Sequence, residues 1–168
     1  MPTKSTVRKA KRDLSAGKRP STAAGEFVRE EMEHTRRGKH GARSSKQAIA
    51  IGLSKARRSG VPLKPPARGR TSARTRQAAT LAYETGQGRR KPRAPSARRG
   101  RQTERALQRE GQTAASRRSL AAQARGAAGR RTRASRSAAA RQAAATKGTR
   151  GRSMAAKRAA ATRKRTRG

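Results

Sequence analysis

Residues 20–66, PSTAAGEFVREEMEHTRRGKHGARSSKQAIAIGLSKARRSGVPLKPP, are the one stretch of this 168-residue chain that combines sizeable apolar side chains, helix caps and acidic charge. Pro20 stops whatever precedes it, and Ser21 or Thr22 offers a side-chain oxygen to cap a helix. At about 100° per residue, Ala24, Phe27, Val28, Met32 and Thr35 share one face, and Glu26, Arg29, Glu30 and Glu33 share the other. Charge runs from glutamates early in the segment to Arg36, Arg37 and Lys39 at its end, which complements the helix dipole and lets Glu33 pair with Arg36 or Arg37. Gly38 is suited to a left-handed stop. A first helix over about 22–37 follows.

GKHGAR, 38–43, reads as a tight basic turn. Ser44 and Gln47 then have the capping-box spacing, which predicts a second helix over about 45–59. Its apolar face gathers Ala48, Ile49, Gly52, Leu53 and Ala56. A glycine inside that face costs about 0.5–1 kcal/mol relative to alanine, so its position predicts a close helix-to-helix approach. Gly60 and Pro62 end the helix, and Val61 and Leu63 can fold back as a lid. The product is a helical hairpin of marginal stability, expected to dimerise, to recruit later helices or to firm up on a ligand.

The rest of the chain reads as basic arms. Hydrophobic residues make up 30% of the whole, with one Phe, one Tyr and no Trp, and 47 Lys and Arg oppose 8 Asp and Glu for a net charge of +39. Low hydrophobicity with high net charge predicts extensive disorder, so the fold class expected is mostly α with one hairpin and a tail of transient helices. The organisation expected is a basic N-terminal arm over 1–19, the hairpin domain over 20–66, a basic linker over 67–101 with a helix at 71–85 and an extended stretch at 87–101, and an Arg/Ala-rich low-complexity tail over 102–168.

Such charge calls for a polyanion. Nucleic acid gains affinity from counterion release whatever its sequence, whereas an anionic membrane finds no long apolar run and mostly alanine to hold. The N-terminus has no apolar segment behind its basic residues and is not a secretory signal, although an Arg-rich organellar transit peptide stays open. The absence of cysteine removes disulfides and thiolate ligands and favours an intracellular compartment.

The candidate nucleic-acid contacts are Lys46, Lys55, Arg57 and Arg58 on the second helix, with Arg117, Arg118, Arg130, Arg131, Arg133, Arg136, Arg141, Lys157, Arg158, Arg163, Lys164 and Arg165 in the tail. Arginine grips phosphate through a planar fork, and interspersed alanine keeps the backbone close. Insertion of the second helix into a major groove is one reading; a structural or dimerising hairpin is preferred. Glu31 and His34 have the ExxH spacing of carboxylate metal sites, with His40 nearby. Such sites draw further acids from other helices, which this chain lacks, so neither a metal nor a cofactor is expected. Glu31 projects into the apolar face, where Lys55 or a turn arginine is its expected partner. No nucleophile, base and orienter can be assembled, and no enzyme or small-molecule substrate is expected.

The phrases EFVREE, GKHGAR and KQAIAIGLSKAR resemble a family of small basic bacterial proteins built around a domain of unknown function. The match covers about a quarter of the chain; it implies a bacterial cytoplasmic origin and no established activity. The tail is similar to the low-complexity tails of bacterial linker-histone-like proteins, from which its preference for Arg over Lys departs. The expectation is therefore a non-enzymatic, largely sequence-independent DNA-binding and compacting protein of the nucleoid. Two alternatives remain: an RNA or ribosome-associated protein, and a protein-interaction hairpin that docks through Glu26, Glu30 and Glu33 with the tail as a tether. The same acidic face is also a candidate holder of the chain's own basic tail.

Overall fold

The computed structural model describes residues 2–92, 94 and 96–167. These form seven α-helices and one 3₁₀ turn, with no strand among the described residues. The helices are α1 (Lys4–Ser15), α2 (Pro20–Arg36), α3 (Ser45–Arg58), α4 (Ala73–Gly86), α5 (Ala97–Gln108), α6 (Arg117–Gly129) and α7 (Arg133–Arg167), with the 3₁₀ turn at Thr113–Ala115. The chain divides into two compact units, Met1–Gln123 and Ala124–Gly168.

In the first unit α2 and α3 form the expected hairpin. Pro20 occupies the first turn of α2, where its missing N–H costs nothing, so the helix starts ahead of the expected Ser21 or Thr22 cap. Gly38 takes the left-handed conformation after it (φ 69°). Ser44 caps α3 by accepting from the Gln47 N–H at 3.3 Å, and the Gln47 side chain reaches back to the Arg43 N–H at 2.8 Å. The two helices touch backbone to backbone at Gly52, where a Cβ would lie 2.8 Å from the Val28 Cα.

Two apolar clusters flank that crossing. One joins Ala23, Ala24 and Phe27 of α2 to Ala56 of α3, and is closed by Ala10 with Val7 and Leu14 of α1 on one side and by Val61 and Leu63 on the other. Val61 and Leu63 thus form the lid expected of them. The other joins Val28 and Met32 to Ala42, Ala48 and Ile49, and is closed by Ala114 and Ala115 of the 3₁₀ turn and Leu120 of α6. The hairpin therefore recruits both flanks of its own chain. The segment before α6 is held on the hairpin turn by main-chain hydrogen bonds, Gly41 N–H to Leu107 O at 2.8 Å and Ala42 N–H to Gly111 O at 3.1 Å. α4 buries Ala79 and Ala82 and packs against α3, with Gln87 Nε2 donating to Gly60 O at 3.1 Å.

These elements correct the expectation of extensive disorder. The arm read over 1–19 contains a capped helix, with Thr3 accepting from the Thr6 N–H. Helix α5 begins inside the stretch read as extended; Ser96 caps it, accepting from the Arg99 N–H at 3.4 Å, and positions 93 and 95 of that stretch lie outside the described residues. In the second unit α7 spans 35 residues, with one break in helical geometry at Gly148. The tail is helical, where transient helices were expected. The physical reason is intrinsic propensity: alanine and arginine are among the strongest helix formers, no proline follows position 95, and of the tail glycines only Gly148 leaves the helical region inside a helix.

Candidate functional site

Helix α2 carries the adjacent Glu30 and Glu31 with His34 one turn further on, and the GKHGAR turn brings His40 back to Glu31. Glu31 is fully buried. Lys55 of α3 donates to its Oε2 at 2.5 Å, the partnership expected from sequence. Its other oxygen, Oε1, lies 3.0 Å from His40 Nε2, yet the two are not aligned as a hydrogen bond and Oε1 has no hydrogen-bond partner. The separation is that of an ion pair, while the angle denies a shared proton.

His40 is oriented by its own backbone neighbour: its Nδ1 lies 3.1 Å from Gly41 O. A carbonyl only accepts, so Nδ1 donates the proton, and in the neutral tautomer Nε2 is the nitrogen that carries the lone pair. The rings of His34 and His40 meet edge to face with centroids 6.0 Å apart. Glu31, His34 and His40 each bring one ligand-type atom to within 4.8 Å of the others. Burial, together with the cations Lys39 and Lys55, holds the His34 pKa below its ordinary value, against the opposing pull of Glu30 and Glu31, which favours the neutral ring.

The structure corrects the expectation that Glu30 belongs to an exposed acidic face. Its side chain is 7% exposed, and Oε1 accepts the Thr3 N–H at 2.8 Å, so the start of α1 covers it. Glu26 pairs with Arg29 at 3.3 Å and Glu33 with Arg37 at 2.7 Å, the second pair as expected. The face offered for a protein partner or for the basic tail is thus largely engaged within the first unit.

The expected nucleic-acid contacts fall into two groups. Lys55 and Arg57 point inward: Lys55 is committed to Glu31, and Arg57 is buried, its Nε donating to Leu63 O at 3.1 Å. That burial lowers the Arg57 pKa. Lys46 and Arg58 on α3 are exposed, as are Arg117 and Arg118 at the start of α6, Arg130 and Arg131 after it, and Arg133, Arg136, Arg141, Lys157, Arg158, Arg163, Lys164 and Arg165 on α7. Arg141 Nη1 donates to Ser137 Oγ at 2.8 Å one turn away.

One cation outside the expected set is also exposed in the first unit. Arg36 donates through Nε to Ala115 O at 3.1 Å and, with Arg117, Gln112 and Ser116, lines a shallow depression of about 490 Å³ within the first unit. Nothing in the sequence brings position 36 to position 117 without the docking of the 3₁₀ turn. α7 has no buried residue among those with described side chains, so its cations ring a helix with no apolar face. No helix of the described residues is long and apolar enough to cross a membrane. Comparison of the chain with protein-family models, with curated proteins and with solved structures gives no match.

Proposed function

We propose that this chain is a non-enzymatic, largely sequence-independent DNA-binding and compacting protein of the bacterial nucleoid, with the first unit as a folded platform and the helical tail as the main contact surface. One observation carries the reading: no acidic residue follows Glu110, while the cations of α6 and α7 stand exposed on helices. That stretch contributes no Asp or Glu against its arginines and lysines, and phosphate is the anion they suit. Side-chain chemistry favours backbone contact over base reading. Phe27 is fully buried and Tyr83 is the one other aromatic, so unpaired bases have almost nothing to stack on. That favours duplex DNA over single-stranded RNA. Engagement of the acidic face within the first unit weighs against docking of a protein there.

The test is a salt titration of the full-length chain on two duplexes of unrelated sequence. With about 6–10 phosphates engaged, affinity falls by roughly 10³–10⁵ between about 50 and 200 mM salt, equally for both duplexes. A flat salt response overturns the proposal. Tighter binding to structured RNA than to either duplex in direct competition replaces DNA by RNA as the partner.

A further inference from the structure

We propose that Glu31, His34 and His40 form a binding site for one divalent transition metal ion of the zinc class, which fastens the end of α2 to the turn that follows it. Three observations support the site independently of nucleic acid. The first is composition: two imidazoles and a carboxylate are ligands that zinc and its neighbours favour, whereas magnesium and calcium take oxygen. The second is the orphaned oxygen. Glu31 is 0% exposed and its Oε1 has no hydrogen-bond partner, a costly state for a buried carboxylate oxygen that a cation relieves. The third is the ring of His40, whose Nδ1 is tied to Gly41 O. That is the outer-shell hydrogen bond that fixes the tautomer of metal-ligating histidines, and it leaves Nε2, 3.0 Å from Oε1, as the ring nitrogen open to an ion.

Oε1 and Nε2 lie 3.0 Å apart with no hydrogen bond between them, and an ion bound by both gives the orphaned oxygen a partner. Lys55 keeps Oε2, so Glu31 serves through Oε1 alone. The ligand atoms lie within 4.8 Å of one another; atoms sharing zinc at about 2.0–2.1 Å are roughly 3.4 Å apart, so the widest separation closes by about 1.4 Å. The side chains of His34 and His40 are 15% and 16% exposed, which leaves room for that movement and for water to complete the coordination. The effect is local ordering: the turn holding His40 also hydrogen-bonds the segment around Leu107 and Gly111, so the ion steadies the surface on which that segment sits.

The experiment exploits an economy of the sequence. His34 and His40 are the only histidines and there is no cysteine, so every imidazole signal in a proton spectrum reports this site. Full-length protein stripped with a chelator is titrated with Zn²⁺ in nucleic-acid-free buffer, and the two imidazoles and the melting temperature are followed. The expected result is saturation at one ion per chain, displacement of both imidazole signals and a raised melting temperature. His34→Gln and His40→Gln each weaken binding by at least about tenfold. Lys55→Met, which frees Oε2 and removes a neighbouring positive charge, keeps or tightens zinc binding, and zinc restores part of the stability that the substitution removes. No saturable shift of either imidazole overturns the site, as does zinc affinity unchanged in both histidine variants. Failure for Lys55→Met to be rescued by zinc leaves an ordinary ion-pair cluster and equally overturns it.

Discussion

At Gly52 a single missing Cβ sets how close α2 and α3 come. An added methyl would meet the Val28 Cα at 2.8 Å, the Val28 N at 3.0 Å and the Phe27 O at 3.1 Å. All three are backbone atoms that a side-chain rotation cannot move aside. Gly52→Ala is therefore expected to lower stability by about 1–3 kcal/mol, despite the better helix propensity of alanine; a denaturant melt showing equal or greater stability would contradict the close crossing. Lys55 and Lys46 make a matched pair for the charge argument. They lie on one helix, but Lys55 neutralises the buried Glu31 while Lys46 is exposed. Lys55→Met should cost about 3 kcal/mol in metal-free buffer because it strands a buried carboxylate, and Lys46→Met less than about 0.5 kcal/mol. The Glu31–Lys55 pair was legible in sequence, since a carboxylate in the middle of an apolar face needs a cation from the facing helix. The approach of His40 was not, because it depends on the path of a glycine-bearing turn, and helical periodicity says nothing about that path.

At the scale of the element, the hairpin was readable because period, caps and glycines all agree on it. What closes it was not. Val7, Ala10 and Leu14 recur at helical spacing, and Thr3 with Thr6 marks a cap, but the surrounding lysines and arginines outweighed this short apolar stripe. The docking of 107–115 left still less trace, because main-chain hydrogen bonds and two alanines make it. A fragment 20–66 then lacks the partners of both apolar clusters: Ala10, Val7 and Leu14 for the one, Ala114, Ala115 and Leu120 for the other. Residues 20–66 alone should show little helix and a broad melt, whereas 1–123 should melt cooperatively with helicity close to that of the same residues in the full chain. Circular dichroism on the two fragments decides this, and a cooperative melt of 20–66 would show that the flanks merely decorate the hairpin. In the tail, net charge argued for disorder and propensity for helix. The prevalence of helix there means that alanine and arginine propensity outweighs repulsion between cations spaced around the helix and partly screened by salt.

At the scale of the whole molecule, charge and packing are divided between the two units. The first unit holds every acidic residue of the chain; the second, Ala124–Gly168, holds none. In the first, acids are spent on structure: Glu31 on Lys55, Glu33 on Arg37, and Glu110 on Arg43 at 3.4 Å. In the second, the cations of α7 stand on a helix with no buried residue among those with described side chains. If phosphate binding resides mainly in the second unit, shortening the chain to 1–123 should leave its fold intact and flatten the salt dependence of DNA affinity, each lost phosphate contact reducing the slope by about 0.9. Replacing Arg130, Arg131, Arg133 and Arg136 by glutamine in the full chain should lower the slope by up to about 3.6 on the same scale, and by similar amounts on unrelated duplexes, because phosphate contacts carry no base information. Charge-neutral exchange of these four by lysine should preserve the slope and weaken binding only through loss of the bidentate grip. A slope unchanged in both the truncated and the glutamine-substituted protein would move the contact surface to the first unit, where exposed Lys46, Arg58 and the depression between Arg36 and Arg117 would be the cations to substitute next.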